Sequence, residues 1–313
     1  MVLYLLRRLA LGVLVVLATA FFAYGGIRLL RPELYPGETW LSGTLGDLNR
    51  ALLHLDFGEA CMYTGCPRLH DLWVRGIQAD LWLLAGGLLL GLLLGVTGGR
   101  WCAAHPRSRR SRALEAVAMV FYCAPAYFVA YLLLLLFEPT FGWFPVPVLF
   151  APHQYAEPFR NLGDFAEAMI VPWLVVAAPV AAACLRLTVG MTREAEDEEF
   201  VRTALAKGLS HRAAISRHAA PTAYASVASW VGSAVPFVVL NVVLVEFVFS
   251  VPGFFRHTWR AFGKAPGFPP GIDYPTLQAI GVWAAVSIVV VGLLADLALA
   301  AIDPRIRAAG RVG

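Results

Sequence analysis

Seven histidines, five cysteines and a few carboxylates set in apolar surroundings are the residues best suited to chemistry, and their spacing argues against catalysis. His54, His70, His105, His153, His211, His218 and His257 include no HExxH pair, the spacing that sets two imidazoles around a metal. No GxxxxGK[ST] stretch occurs, so the chain lacks the loop that cradles nucleotide phosphates. Cys61 and Cys66, in CMYTGC, are a close pair with no further Cys or His at ligand spacing, which disfavours a metal. In an oxidising compartment they can bridge, and elsewhere they remain two thiols; the residues alone leave both open. Cys102, Cys123 and Cys184 lie in or beside apolar runs and read as small buried hydrophobes. Asp80, Glu246 and Asp296 fall within or at the ends of such runs, where a charge needs a partner.

The elements that must position these groups are membrane helices. The chain has 313 residues, 59% apolar and 15% charged, where soluble domains run at about 45–50% and 25%. About 20 apolar residues cross the hydrocarbon, and six segments qualify: Leu9–Leu30, Ile77–Gly98, Ala113–Phe137, Ala168–Gly190, Ser226–Phe249 and Leu277–Ile302. The first follows Arg7 and Arg8 as a signal peptide would. It is too long for that role and ends at Arg28 and Arg31 without a cleavage site, so it is expected to be a retained span. With both termini in the cytoplasm, the inside segments hold the majority of the 25 lysines and arginines, as the positive-inside rule requires. The expected organisation is a first helix and external segment over residues 1–76, a five-helix core over 77–304 and a cytoplasmic tail over 305–313. The external segment PELYPGETW…LHLDFG contains short amphipathic stretches, and the one running from Glu138 to Phe165 is rich in aromatic residues suited to the headgroup level.

Between the fourth and fifth spans lies a basic, alanine-rich island, FVRTALAKGLSHRAAISRHAAP, from Phe200 to Pro221. Glu196, Asp197, Glu198 and Glu199 suit the positive end of a helix dipole. Gly208 suits a left-handed turn, and Ser210 suits the N-cap of a second short helix. The pattern predicts a helix–turn–helix bracket over 194–221, with Leu205, Leu209 and Ile215 as apolar points for a protein partner. A plain loop carrying Lys and Arg for topology and anionic lipid is the alternative. Such loops are usually shorter and less helix-competent.

The stretch EDEEFVRTALAKGLSHRAAISRHAAPTA resembles the cytoplasmic coupling segment of binding-protein-dependent ABC importer permeases, the first subunit of the dipeptide/oligopeptide/nickel type. Arg202-Thr203-Ala204-Leu205-Ala206-Lys207-Gly208 stands where that family carries an RTARAKG-like signature. The opening MVLYLLRRLALGVLVVL, Leu55-Asp56-Phe57-Gly58, Val248-Phe249-Ser250-Val251-Pro252-Gly253, Asp273-Tyr274-Pro275 and Asp303-Pro304-Arg305-Ile306-Arg307 are similar to further family elements in the same order. LLRPELYPGETW after the first span, the His218-Ala219-Ala220-Pro221 ending and the long FRHTWRAFGKAPGFPPGIDYP depart from it.

The resemblance implies an all-α membrane protein with six transmembrane helices, a type I ABC importer transmembrane domain in the inner (cytoplasmic) membrane. It implies a second permease subunit, two ATP-binding subunits and an external solute-binding protein as partners, with no nucleic acid and no cofactor. Arg202, Thr203, Ala204, Leu205, Lys207, Gly208, Leu209 and Ile215 would then take up the stroke of ATP hydrolysis. Peptides are the expected cargo; nickel, oligosaccharides or other small solutes are the alternatives within the family. An exporter or ion-coupled carrier, or a membrane scaffold, are the alternatives outside it. Tyr122, Tyr127, Ser229, Ser233 and Asn241 are polar residues within spans that can line a path. Glu246 can line it too, or tie helices near the gate. Asp296 is expected to pair with a basic group. Gly87, Gly91 and Gly95 make a smooth ridge for close packing, and Pro125, Pro179 and Pro236 are candidate kinks.

Overall fold

The computed structural model describes residues 2–37, 39–63, 65–137, 161–263 and 271–302. His153, most of the aromatic external segment and the Asp303–Arg307 motif lie outside the described residues. The described chain is a helical bundle: α1 (Val2–Leu30), α2 (Trp40–Leu53), α3 (Leu69–Ala104), α4 (Arg109–Cys123), α5 (Ala126–Phe137), α6 (Leu162–Ala195), α7 (Glu199–Ala206), α8 (His211–Ala214), α9 (Ala223–Phe249), α10 (His257–Ala261) and α11 (Tyr274–Ile302).

The α1, α3, α6 and α11 helices are long and apolar enough to cross a membrane, as is the continuous helical run His211–Phe249 that contains α9. The remaining expected span, Ala113–Phe137, is interrupted at the candidate kink Pro125. It is a broken pair, α4 and α5, bent by 107°. The cause is local: Pro125 disfavours helical geometry in the residue before it, and Ala124 is extended at φ −73°, ψ 131°. Pro172 and Pro179 leave α6 unbroken, as Pro236 leaves α9.

The tightest seam joins α3 to α6, and glycine makes it possible. A Cβ on Gly91 would lie 2.8 Å from Val180 Cβ, and one on Gly95 would lie 2.6 Å from the Ala181 carbonyl oxygen. Side chains there would force the helices apart, so the ridge is a backbone-to-side-chain contact surface. Trp173 Nε1, farther along α6, donates to the Trp82 carbonyl at 2.9 Å and pins the same pair. By contrast, α1 leaves Leu6, Leu9, Leu14 and Phe22 exposed. Lipid tails solvate such a surface as well as protein does, so exposed leucine carries no penalty there.

Alternating spans give the bundle two ends. One carries α7 and α8 and is called here the bracket end. The other, the cap end, carries α2, the loop 54–68 and the turn after α9. At the cap end Trp40 Nε1 donates to Gly25 O at 2.8 Å, and Arg28 Nε pairs with Asp47 Oδ2 at 2.8 Å, so α2 lies against the end of α1. The Arg28 guanidinium is buried and also covers the Tyr35 ring at 4.0 Å.

Gly91→Val is expected to lower stability by about 1–3 kcal/mol, the usual cost of overpacking. Gly281→Ala, where nothing lies within 4 Å of the added carbon, is the matched control. Thermal unfolding of the two purified variants in the same detergent checks the contrast.

Candidate functional site

The bracket folds from local signals. Glu198 occupies the N-cap position of α7 without a side-chain cap bond, and Lys207 N and Gly208 N donate to Thr203 O and Leu205 O at 3.1 and 2.9 Å. Gly208 then reverses the chain at φ +89°, a region open to glycine and strained for other residues. Ser210 Oγ accepts from Ala213 N at 3.4 Å and starts α8. The helix widens into one π-type turn over Ile215–Ala219, tightens over Ala220–Thr222 and runs on as α9.

Its two faces differ. The inner face packs Val201, Ala204, Ala214, Ile215 and Ala219 against Ala103, Ala104 and Ala195, with Leu209 partly buried at the margin. Ile215, expected as an apolar point for a partner, is 1% exposed and belongs to this packed base. Ala204 is buried with it. Arg202, Thr203, Leu205, Lys207 and Gly208 stand on the exposed face, as do Arg212, Arg217 and His218. Two polar ties hold the bracket down: Arg100 donates to Ser216 O at 3.2 Å, and His211 Nε2 lies 2.7 Å from Glu196 Oε1. The outcome is a braced basic ledge with one exposed leucine.

At the cap end, two carboxyls from different spans hold one turn. After α9 the chain passes Ser250, at φ +54°, and folds Val251–Phe255 back into the bundle. Asp80 Oδ1 accepts from Phe254 N at 2.7 Å, and its Oδ2 accepts from Trp283 Nε1 at 2.6 Å. Glu246 Oε2 accepts from Arg256 N at 3.0 Å. Gly253 sits between the two carboxyls, and a Cβ there would collide with both. Glu246 is fully buried within this chain, where it joins α9 to the turn that follows. Asp80, a carboxylate expected to need a partner, is buried in the same knot.

The loop 54–68 closes over this turn. Phe57 packs on Trp73, and Trp73 on Trp283, at 6.1 and 5.7 Å between ring centres. Cys61 and Cys66 are joined by a disulfide. Inside the loop, Met62 N donates to Asp273 Oδ2 at 3.1 Å, and the Tyr63 hydroxyl bonds His257 Nδ1. Burial drives the His257 pKa down to about 3, helped by the nearby cations Arg256, Arg260 and Arg75. Burial therefore favours the neutral imidazole, which shares a hydrogen bond with the Tyr63 hydroxyl through Nδ1.

The polar residues expected to line one path are dispersed. Ser229 and Ser233 border a cavity of about 330 Å³ beside Asp296. Asp296 pairs with Arg8 at 3.2 Å, the basic partner expected of it. Tyr122 borders a different cavity of about 360 Å³, with Arg186 and Trp230. Tyr127 is exposed on α5, and Asn241 is buried. Arg186 was missed by sequence reasoning, although a lone arginine within the apolar run 168–190 is itself a signal.

A bundle of apolar spans with a braced ledge at one end and a carboxyl-held turn at the other defines a multi-pass membrane protein. The chain belongs to the binding-protein-dependent transport system inner membrane component family, whose model matches residues 87–308. It is 30% identical over 256 residues to the probable peptide ABC transporter permease protein y4tP of Sinorhizobium fredii, covering 82% of this chain and 77% of that one. It is 30% identical to the oligopeptide transport system permease protein OppB of Mycobacterium tuberculosis, covering 80% and 76%. The oligopeptide transport system permease protein AppB of Bacillus subtilis is 26% identical over 80% of this chain and 76% of its own.

Lowering pH from about 6.5 toward 3 charges His257 in the unfolded chain before the folded one, so stability falls by up to about 1.4 kcal/mol per pH unit. The melting temperature of His257→Asn is expected to drop less between pH 7 and 4.5 than that of the wild type. Intact-mass measurement with and without reductant checks the bridge: the chain should gain two hydrogens on reduction.

Proposed function

We propose that this chain is the transmembrane subunit of an ATP-driven importer and forms half of the path for peptides delivered by an external solute-binding protein. The braced ledge is the observation that carries the proposal. Arg202, Thr203, Leu205, Lys207 and Gly208 project from a base packed into α3 and α6, so force applied to the ledge reaches the spans. A flexible loop would dissipate it. The chain has no phosphate-binding loop of its own, so two separate ATP-binding subunits supply hydrolysis and grip the ledge from the cytoplasm.

In this arrangement both termini and the bracket face the cytoplasm, and the cap end faces outward toward the binding protein. The positive-inside distribution supports that orientation. The disulfide-closed loop supports it too, since such bonds persist outside the cytoplasm. A second six-span permease subunit completes the path. Peptide cargo is carried over from the names of the relatives.

Gly208→Val tests the coupling. Any side chain is strained at φ +89°, and the distortion falls on the ledge rather than on its packed base. Membrane insertion and capture of two ATPases with a second permease subunit are expected to persist, while transport-linked ATP hydrolysis falls several-fold. Unchanged hydrolysis in the purified complex, or no ATPase captured by the wild type, would overturn the proposal.

A further inference from the structure

We infer that Arg186 is a carboxylate-binding residue, holding the free C-terminal carboxyl group of a short peptide in the cavity between α4, α6 and α9. The inference rests on the peptide-import proposal above and adds a ligand group and a residue to it.

Arg186 lies within α6, about two turns before Arg193, and its side chain is exposed. Charge inside a span needs an answer, and three arginines of the long helices have one in a carboxylate. Arg8 pairs with Asp296, Arg28 with Asp47 and Arg193 with Glu115. Among the described residues, Arg186 has no carboxylate partner. Its guanidinium carbon stands 4.9 Å from the centre of the Tyr122 ring, and its NH1 lies 3.7 Å from Met119 Sδ. A ring face and a thioether orient a guanidinium but leave most of its five N–H donors unused. Those donors form a fork that fits a carboxylate in two-point contact.

The surroundings suit a peptide. The cavity holds about 360 Å³ and is lined by Tyr122 and Trp230, rings that can pack against a peptide side chain. Gly190, one turn along α6, leaves its wall open: a Cβ there would meet nothing within 4 Å. Glu194 borders the same cavity eight residues after Arg186. At 1.5 Å per residue that is about 12 Å along the helix. An extended chain spans up to about 3.3–3.6 Å per residue, so three or four residues bridge the interval. A zwitterionic peptide of that length would set its carboxylate on Arg186 and its ammonium toward Glu194.

The test uses the complete transporter in proteoliposomes and a labelled tripeptide, supplied as the free acid and as its C-terminal amide. The wild type is expected to import the acid in preference to the amide. In Arg186→Gln that preference should fall about tenfold, the usual scale for losing a charge-assisted hydrogen-bond pair. Arg186→Lys keeps the charge without the fork and should fall between the two. It serves as the readout if the glutamine variant fails to assemble. Equal losses for acid and amide would mark a structural or lipid-facing role and overturn the inference alone, as would an unchanged preference. A wild-type complex that hydrolyses ATP yet imports neither form would overturn the peptide proposal, and this inference with it.

Discussion

The turn after α9 folds back into the bundle, away from solvent, so its amides must find their acceptors in protein. Asp80 and Glu246 supply them, taking the amides of Phe254 and Arg256. A buried N–H left without an acceptor costs about 1–3 kcal/mol, and the carboxyls settle two of them while also binding Trp283. The rest of the cap end follows from this knot. It seats Phe254 and Phe255 in the core, sets α10 so that His257 meets Tyr63, and fixes the face against which loop 54–68 folds. Because Asp80 is on α3, Glu246 on α9 and Trp283 on α11, one polar cluster joins three spans that dispersion alone would hold less specifically.

The α3–α6 seam works by the opposite means. No polar group is needed where Gly91 and Gly95 let two backbones approach, since close packing supplies the attraction that water would otherwise drive. The bundle therefore joins a smooth apolar seam along its middle to a polar knot at one end. The basic ledge stands at the other.

Features set by neighbouring residues were legible in the sequence. Span positions follow from run length and composition, and the bracket from Glu198, Gly208 and Ser210, whose roles are local. Features set by distant residues were not. Ile215 looks available on a helical wheel, but Ala103 and Ala104, more than a hundred positions away, cover it. Pro125 announced a kink, while its 107° size depends on how α4 and α5 pack. Tyr122, Ser229, Ser233 and Asn241 were chosen by residue type, and type carries no information about face; they fall in separate places. Glu246 and Asp80 each promised a partner. Only the fold brings both to Gly253. Arg186 was passed over because counting basic residues for orientation attends to the segments between spans.

The helical run from His211 to Phe249 is 39 residues long, about 58 Å at the α-helical rise. A stiff member of that length would act as a lever in the proposed importer. Tilting it by about 5° about its ledge end displaces the far tip by about 5 Å, roughly one helical turn. That tip carries Glu246 and the folded-back turn. The wide turn at Ile215–Ala219 and the proline at 236 are the places where such a lever can flex. The stiffness of those two joints would then set how much of any tilt arrives at the tip.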